Sequence, residues 1–192
     1  MAEHEKIGER ARAMEEEYFR KRDRELIEKL RKARADEDAK RAMGASTGLQ
    51  DPALLQSLLD LGFTPDTVTL LPLVPVVQMA WAEGGVTKHE FDLVLKLAAA
   101  RGVADGSPAH QQLIEWLGTR PAPAVFTGAS RLIRAMLDAG SGQAGDLTAD
   151  DLVAYCEQIA GASGGMLGLG RVSAEERTLL TQIASDLKTR QR

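Results

Sequence analysis

The residues of this chain that could do covalent chemistry are few, and none is spaced for it. His4, His89 and His110 stand far apart, and the single cysteine, Cys156, sits among Leu152, Val153, Tyr155 and Ile159. That setting fits a buried small hydrophobe better than a nucleophile. The glycine-rich run 161–170 lacks a preceding strand and a following Lys-Ser or Lys-Thr, so it reads as a connection between helices and not as a phosphate loop. No catalytic set, cofactor or metal is expected, and the chain reads as a non-enzyme. The chemistry that the residues do suggest is recognition. The run Glu15-Glu16-Glu17-Tyr18-Phe19-Arg20-Lys21-Arg22 places two aromatics side by side between three acids and three bases. Neighbours on a helix diverge by about 100°, so both rings cannot hide on one apolar face. The pair reads as built to enter another protein; packing back onto this chain is the alternative.

The element that carries the pair is a charged N-terminal arm. Residues 1–43 contain 13 Lys+Arg and 12 Asp+Glu, leaving 11 bases against 16 acids in the other 149 residues. They hold no proline and only Gly8, and Ala, Glu, Lys, Arg and Leu dominate, which predicts a helix. Acid-first pairs at i,i+4 (Glu17–Lys21, Glu25–Lys29, Glu28–Lys32, Asp36–Lys40, Glu37–Arg41) favour a solvated single helix, at about 0.2–0.5 kcal/mol each. Ile7, Ala11, Met14 and Tyr18, then Leu26, Leu30 and Ala33, make a thin stripe suited to a partner helix or groove. Acids balance bases, so the counterion-release drive for nucleic-acid binding is weak. Self-association as a coiled coil is the more serious rival, through an irregular, Ala-rich seam. Gly44-Ala-Ser-Thr-Gly48 is expected to end the helix, with 44–50 as a flexible hinge.

With Ile7-Gly8-Glu9-Arg10, the aromatic run, and Glu25-Leu26-Ile27-Glu28-Lys29-Leu30-Arg31-Lys32 quoted together, the arm resembles the inhibitory helix of the mitochondrial ATPase inhibitor family over about 26 residues. In that family such a helix enters a catalytic interface of the F1 sector and stops ATP hydrolysis. The resemblance implies that Glu15, Tyr18, Phe19, Arg20, Ile27 and Leu30 contact the F1 sector of ATP synthase, with the basic Arg22 beside them. Two departures matter. The family's histidine pair falls on Ala33 and Arg34, so proton-controlled assembly of that kind is not expected. The family's long dimerising coiled coil is missing, so any homodimer would form through the C-terminal domain.

Residues 51–190 read as a globular, all-α domain of about seven helices. Asp51-Pro52 and Ser107-Pro108 mark helix starts, Thr87-x-x-Glu90 is a capping box, and Pro72 with Pro75 makes the first half of the second helix bent or two-piece. No β-branched alternation competes for a strand. Val86-Thr87-Lys88-His89-Glu90 is echoed 86 residues later by Val172-Ser173-Ala174-Glu175-Glu176. Two related hairpins packed together would explain the echo; chance similarity of two capped helices is the alternative. The segment Met79-Ala80-Trp81-Ala82-Glu83-Gly84-Gly85-Val86-Thr87-Lys88-His89-Glu90 also resembles the tellurite-resistance TerB-like family. That likeness implies an all-α fold, while Glu83 and Glu90 are too few for the metal-binding acidic cluster proposed in that family.

One cysteine excludes an intramolecular disulfide framework and fits a reducing compartment. Residues 1–22 lack the apolar segment of a signal peptide, and the longest apolar stretch, 68–82, is too short and too interrupted to span a bilayer. A cytoplasmic location without membrane insertion is expected. The expected function is inhibition of F-type ATP synthase by the N-terminal helix. The alternative is a TerB-like scaffold or stress-response module whose arm binds another protein.

Overall fold

Every regular element that the sequence predicts is helical, and so is every regular element described in the computed structural model of the protein, which covers residues 2–140, 147–162 and 172–188 with side chains from Met14 onward. Helix α1 spans Ala2–Thr47, followed by α2 Pro52–Asp60, a 3-10 helix Val68–Leu73, α3 Val74–Ala80, α4 Lys88–Ala100, α5 Pro108–Gly118, α6 Pro123–Ala139, α7 Ala149–Ala162 and α8 Ala174–Lys188. The chain divides into two compact units, Met1–Ala39 and Lys40–Arg192. The first consists of α1 alone, and every side chain from Met14 to Ala35 is exposed.

Gly44 does not end α1. The helix runs on to Thr47, and Gly48, at φ 77°, terminates it by donating its N–H to the Gly44 carbonyl at 2.8 Å. Gly44 is small for another reason: a Cβ there would lie 2.9 Å from the Leu49 carbonyl oxygen, so its bareness lets the returning chain cross the last helical turn. The segment expected to be a hinge supplies buried side chains: Thr47 and Leu49 are 3% and 4% exposed, next to a fully buried Met43. The Thr47 hydroxyl donates to the Met43 carbonyl at 2.8 Å.

The second unit is organised around α3. Val74, Pro75, Val76, Val77, Met79 and Ala80 are all buried, the pattern of a helix enclosed on every side. Helices α4, α5, α6, α7 and α8 all touch it. The proline pair acts as expected: Pro72 lies within the 3-10 piece and Pro75 within the first turn of α3, where a missing N–H costs no helical bond. Trp81 ties α3 to α5 by donating its indole N–H to the Trp116 carbonyl at 2.8 Å, and Trp116 meets Phe63 edge to face at 5.9 Å.

The sequence echo has a structural counterpart. The Thr87 hydroxyl accepts from the Glu90 N–H at 3.3 Å, and the Glu90 carboxylate accepts from the Thr87 N–H at 2.7 Å. Ser173 and Glu176 repeat both bonds at 3.1 and 2.7 Å. Both glutamates are buried, α4 and α8 both pack on α7 and α3, and the Glu176 charge acts on Glu90. The glycine-rich run 161–170 lies almost wholly outside the described residues.

Candidate functional site

The side chains of residues 14–35 of α1 are exposed, the apolar ones included. Met14 is 72% exposed, Tyr18 57%, Phe19 56%, Leu26 56%, Ile27 47% and Leu30 62%. Large apolar groups on a soluble chain are ordinary when scattered singly, whereas six within seventeen residues of one helix form a patch that marks an interaction site.

The rings are held by local contacts only. Tyr18 and Phe19 meet edge to face with centroids 5.9 Å apart, and the Arg22 guanidinium lies 5.8 Å from the Tyr18 ring centre. Such a cation–π contact at an exposed site contributes about 0.5–1 kcal/mol. Arg20 donates to Glu16 at 3.0 Å, with both side chains 69% exposed. An ion pair this open contributes at most about 1 kcal/mol, so a partner's carboxylate could take over Arg20 at small cost. Glu16–Arg20 closes, while Glu17–Lys21, Glu25–Lys29 and Glu28–Lys32 are not among the ion pairs formed by the described residues. Glu15 stands exposed at the N-terminal edge of the cluster.

The apolar residues of the arm do not form one stripe. Met14 and Tyr18 are four residues apart and share a face. Phe19, Leu26 and Leu30 share another, rotated by about 100°, and Ile27 lies beyond it. Tyr18 and Phe19 are therefore the point where the apolar face steps around the helix. Leu26 belongs with Phe19 and Leu30 by its spacing of 7 and 4, and it joins the expected contact residues Glu15, Tyr18, Phe19, Arg20, Arg22, Ile27 and Leu30. The step was readable from the residue numbers, but a list of spacings of 3 and 4 conceals the single residue inserted at its centre.

Elsewhere the reactive side chains have structural roles. Cys156 is fully buried, and burial pushes its thiol up to about 12, so it holds no thiolate near neutral pH. The His110 Nδ1 accepts from the Gly106 N–H at 3.2 Å in the loop before α5, and His89 is exposed in the first turn of α4. Glu90 is consumed by its capping box, whereas Glu83 is exposed in the turn after α3. Among the described residues, no group of three or more His, Cys, Asp or Glu could hold a metal ion. None of their helices is long and apolar enough to cross a membrane. Compared with protein-family models, with curated proteins and with solved structures, the chain matches none of them.

Proposed function

We propose that this chain is a regulatory protein that inhibits ATP hydrolysis by F-type ATP synthase, inserting the segment 15–30 of α1 into a catalytic interface of the F1 sector. The observation that carries the reading is the exposure of Tyr18 and Phe19, 57% and 56%, on a helix whose neighbouring apolar residues are exposed as well. Aromatic anchors entering desolvated pockets dominate interface energetics. The step between the two apolar faces suits a crevice with two walls: one meets Met14 and Tyr18, the other Phe19, Leu26 and Leu30. The acids 15–17 and the bases 20–22 then call for a basic rim before the aromatic pair and an acidic rim after it. Inhibition of this kind is a conformational block and needs no catalytic residue.

The test is ATP hydrolysis by purified F1 from the source organism, titrated with the full chain and with the Tyr18→Ala/Phe19→Ala variant. Saturable inhibition by the natural chain and none by the variant at the same concentration supports the proposal. No inhibition at any concentration, with the arm shown helical by circular dichroism, overturns it.

A further inference from the structure

A second site sits in the Lys40–Arg192 unit, apart from the apolar faces of the arm. The end of α1, the 3-10 helix, the C-terminus of α4 and α6 converge on a cavity of about 30 Å³. Its wall is apolar: Val68, Pro72, Leu73 and Met136. Thr69 and Arg101 also line it, both half-buried, Arg101 following the last turn of α4.

The polar groups divide into those already committed and those not. Ser46 and Thr47 also line the cavity, and their hydroxyls donate to the helix carbonyls of Ala42 and Met43 at 3.2 and 2.8 Å. Among the described residues, the Arg101 guanidinium meets no hydrogen-bond acceptor or ion-pair partner, and the Thr69 hydroxyl makes no hydrogen bond. Asp151 feels the Arg101 charge, but its carboxylate is occupied in a capping box. There it accepts from the Thr148 N–H at 2.8 Å and the Thr148 hydroxyl at 2.6 Å. An arginine and a threonine without hydrogen-bond partners, both lining a small recess that is otherwise largely apolar, are complementary to one chemistry. The guanidinium offers paired N–H donors that match the two oxygens of a carboxylate, and the recess accepts the short alkyl group attached to it.

We propose that this cavity binds a carboxylate carrying a short aliphatic group, with the carboxylate on Arg101 and Thr69 and the alkyl group against Val68, Pro72, Leu73 and Met136. The carboxylate could belong to a free short-chain acid or to a peptide ending in alanine, and one experiment separates the two sources. The full chain, labelled with ¹⁵N, is titrated by NMR with propionate, with N-acetyl-alanine as the mimic of a peptide C-terminus, and with uncharged propionamide. Saturable shifts are expected around Thr69 and Arg101 with at least one acid and not with propionamide. Tighter binding of N-acetyl-alanine assigns the peptide source, and tighter binding of propionate the free acid. Arg101→Gln should weaken binding roughly tenfold or more, the effect of losing charge-assisted hydrogen bonds, with an undisturbed spectrum elsewhere showing that the variant is folded. Three results would each overturn the proposal: no saturable shift up to tens of millimolar acid, equal response to propionamide, or undiminished binding by folded Arg101→Gln. The propionamide arm keeps the test decisive even where the variant does not fold.

Discussion

Under the proposed function, Tyr18 and Phe19 matter for binding and hardly at all for stability. Each is more than half exposed, so Tyr18→Ala/Phe19→Ala removes little buried area and should leave the melting temperature of the protein within about a degree. The same double substitution should weaken partner binding by at least about 2 kcal/mol, roughly thirtyfold, as loss of interface anchors does. A calorimetric melt and an inhibition titration on one preparation check both halves. A large drop in melting temperature would return the pair to this chain's own core. If the chain inhibits as proposed, inhibition should also change little between about pH 6 and 8, the range in which histidine titrates, because Ala33 and Arg34 stand where the inhibitor family that the arm resembles has its histidines. The buried carboxylates give a pH dependence of another kind. Burial raises Glu90 above its ordinary value of 4.5, outweighing the Thr87 hydrogen bonds and reinforced by the charges of Glu176 and Glu83. Folding therefore favours its protonated form: the stability it contributes is complete below 4.5 and is lost as pH rises through the higher folded value. Asp151 runs the other way, its Thr148 hydrogen bonds lowering it, so its contribution is present above 3.8 and is lost as pH falls. Glu90→Gln keeps an acceptor for Thr87 but removes the charge. Urea denaturation should show the variant gaining on the natural protein as pH rises from 4.5 towards neutrality. Both capping boxes of the echo were legible as residue patterns, whereas the opposition of Glu90 to Glu176 depends on how their hairpins pack, which no local pattern encodes.

At the scale of elements, caps and breakers explain most of what could be read. Asp51, Thr87 and Ser107 cap the helices they were expected to start, because each supplies an oxygen to the first unpaired N–H groups. Prolines 72 and 75 split the central helix as their missing N–H groups require. At Gly44, two properties of glycine, ending helices and permitting close approach, look the same in a sequence. Only the Leu49 carbonyl, brought back over the last turn of α1, distinguishes them. The distinction has a consequence of definite sign. At an open position inside a helix, Gly44→Ala would be stabilising, since alanine is better there by about 1 kcal/mol. With a backbone oxygen 2.9 Å from the new Cβ, the chain must shift, and overpacking costs about 1–3 kcal/mol. Gly44→Ala should therefore lower stability, read as a lower urea midpoint at unchanged m-value. Gly128 in α6 is the instructive contrast. Its added Cβ would meet the flexible side chain of Leu61 at 2.7 Å, which can rotate away, so Gly128→Ala should cost less than Gly44→Ala.

For the whole molecule, the boundary between the two units decides which fragment folds. The sequence places the globular domain after residue 50, where charge gives way to glycine, proline and aliphatic residues. The second unit instead begins at Lys40, because Met43 is fully buried in its core and Thr47 nearly so. A composition change marks where the charged surface ends, but it cannot show how far a core reaches into the helix before it. Removing a buried methionine side chain costs about 2–5 kcal/mol, a large fraction of the 5–15 kcal/mol that holds a typical domain together. A fragment of residues 40–192 should accordingly melt cooperatively at nearly the temperature of the full chain, since side chains 14–35 bury nothing. The fragment 49–192, lacking Met43 and Thr47, should melt well below it or lose cooperativity, and Met43→Ala in the full chain should reproduce much of that loss. Residues 1–39 alone should be only partly helical in water, because their stability rests on weak exposed pairs, and should gain helix when the partner is added. Calorimetry on the two longer fragments and circular dichroism on the short one measure all of this. Equal melting of 40–192 and 49–192 would place Met43 outside the cooperative core, and full helicity of 1–39 alone would show that docking carries no ordering cost.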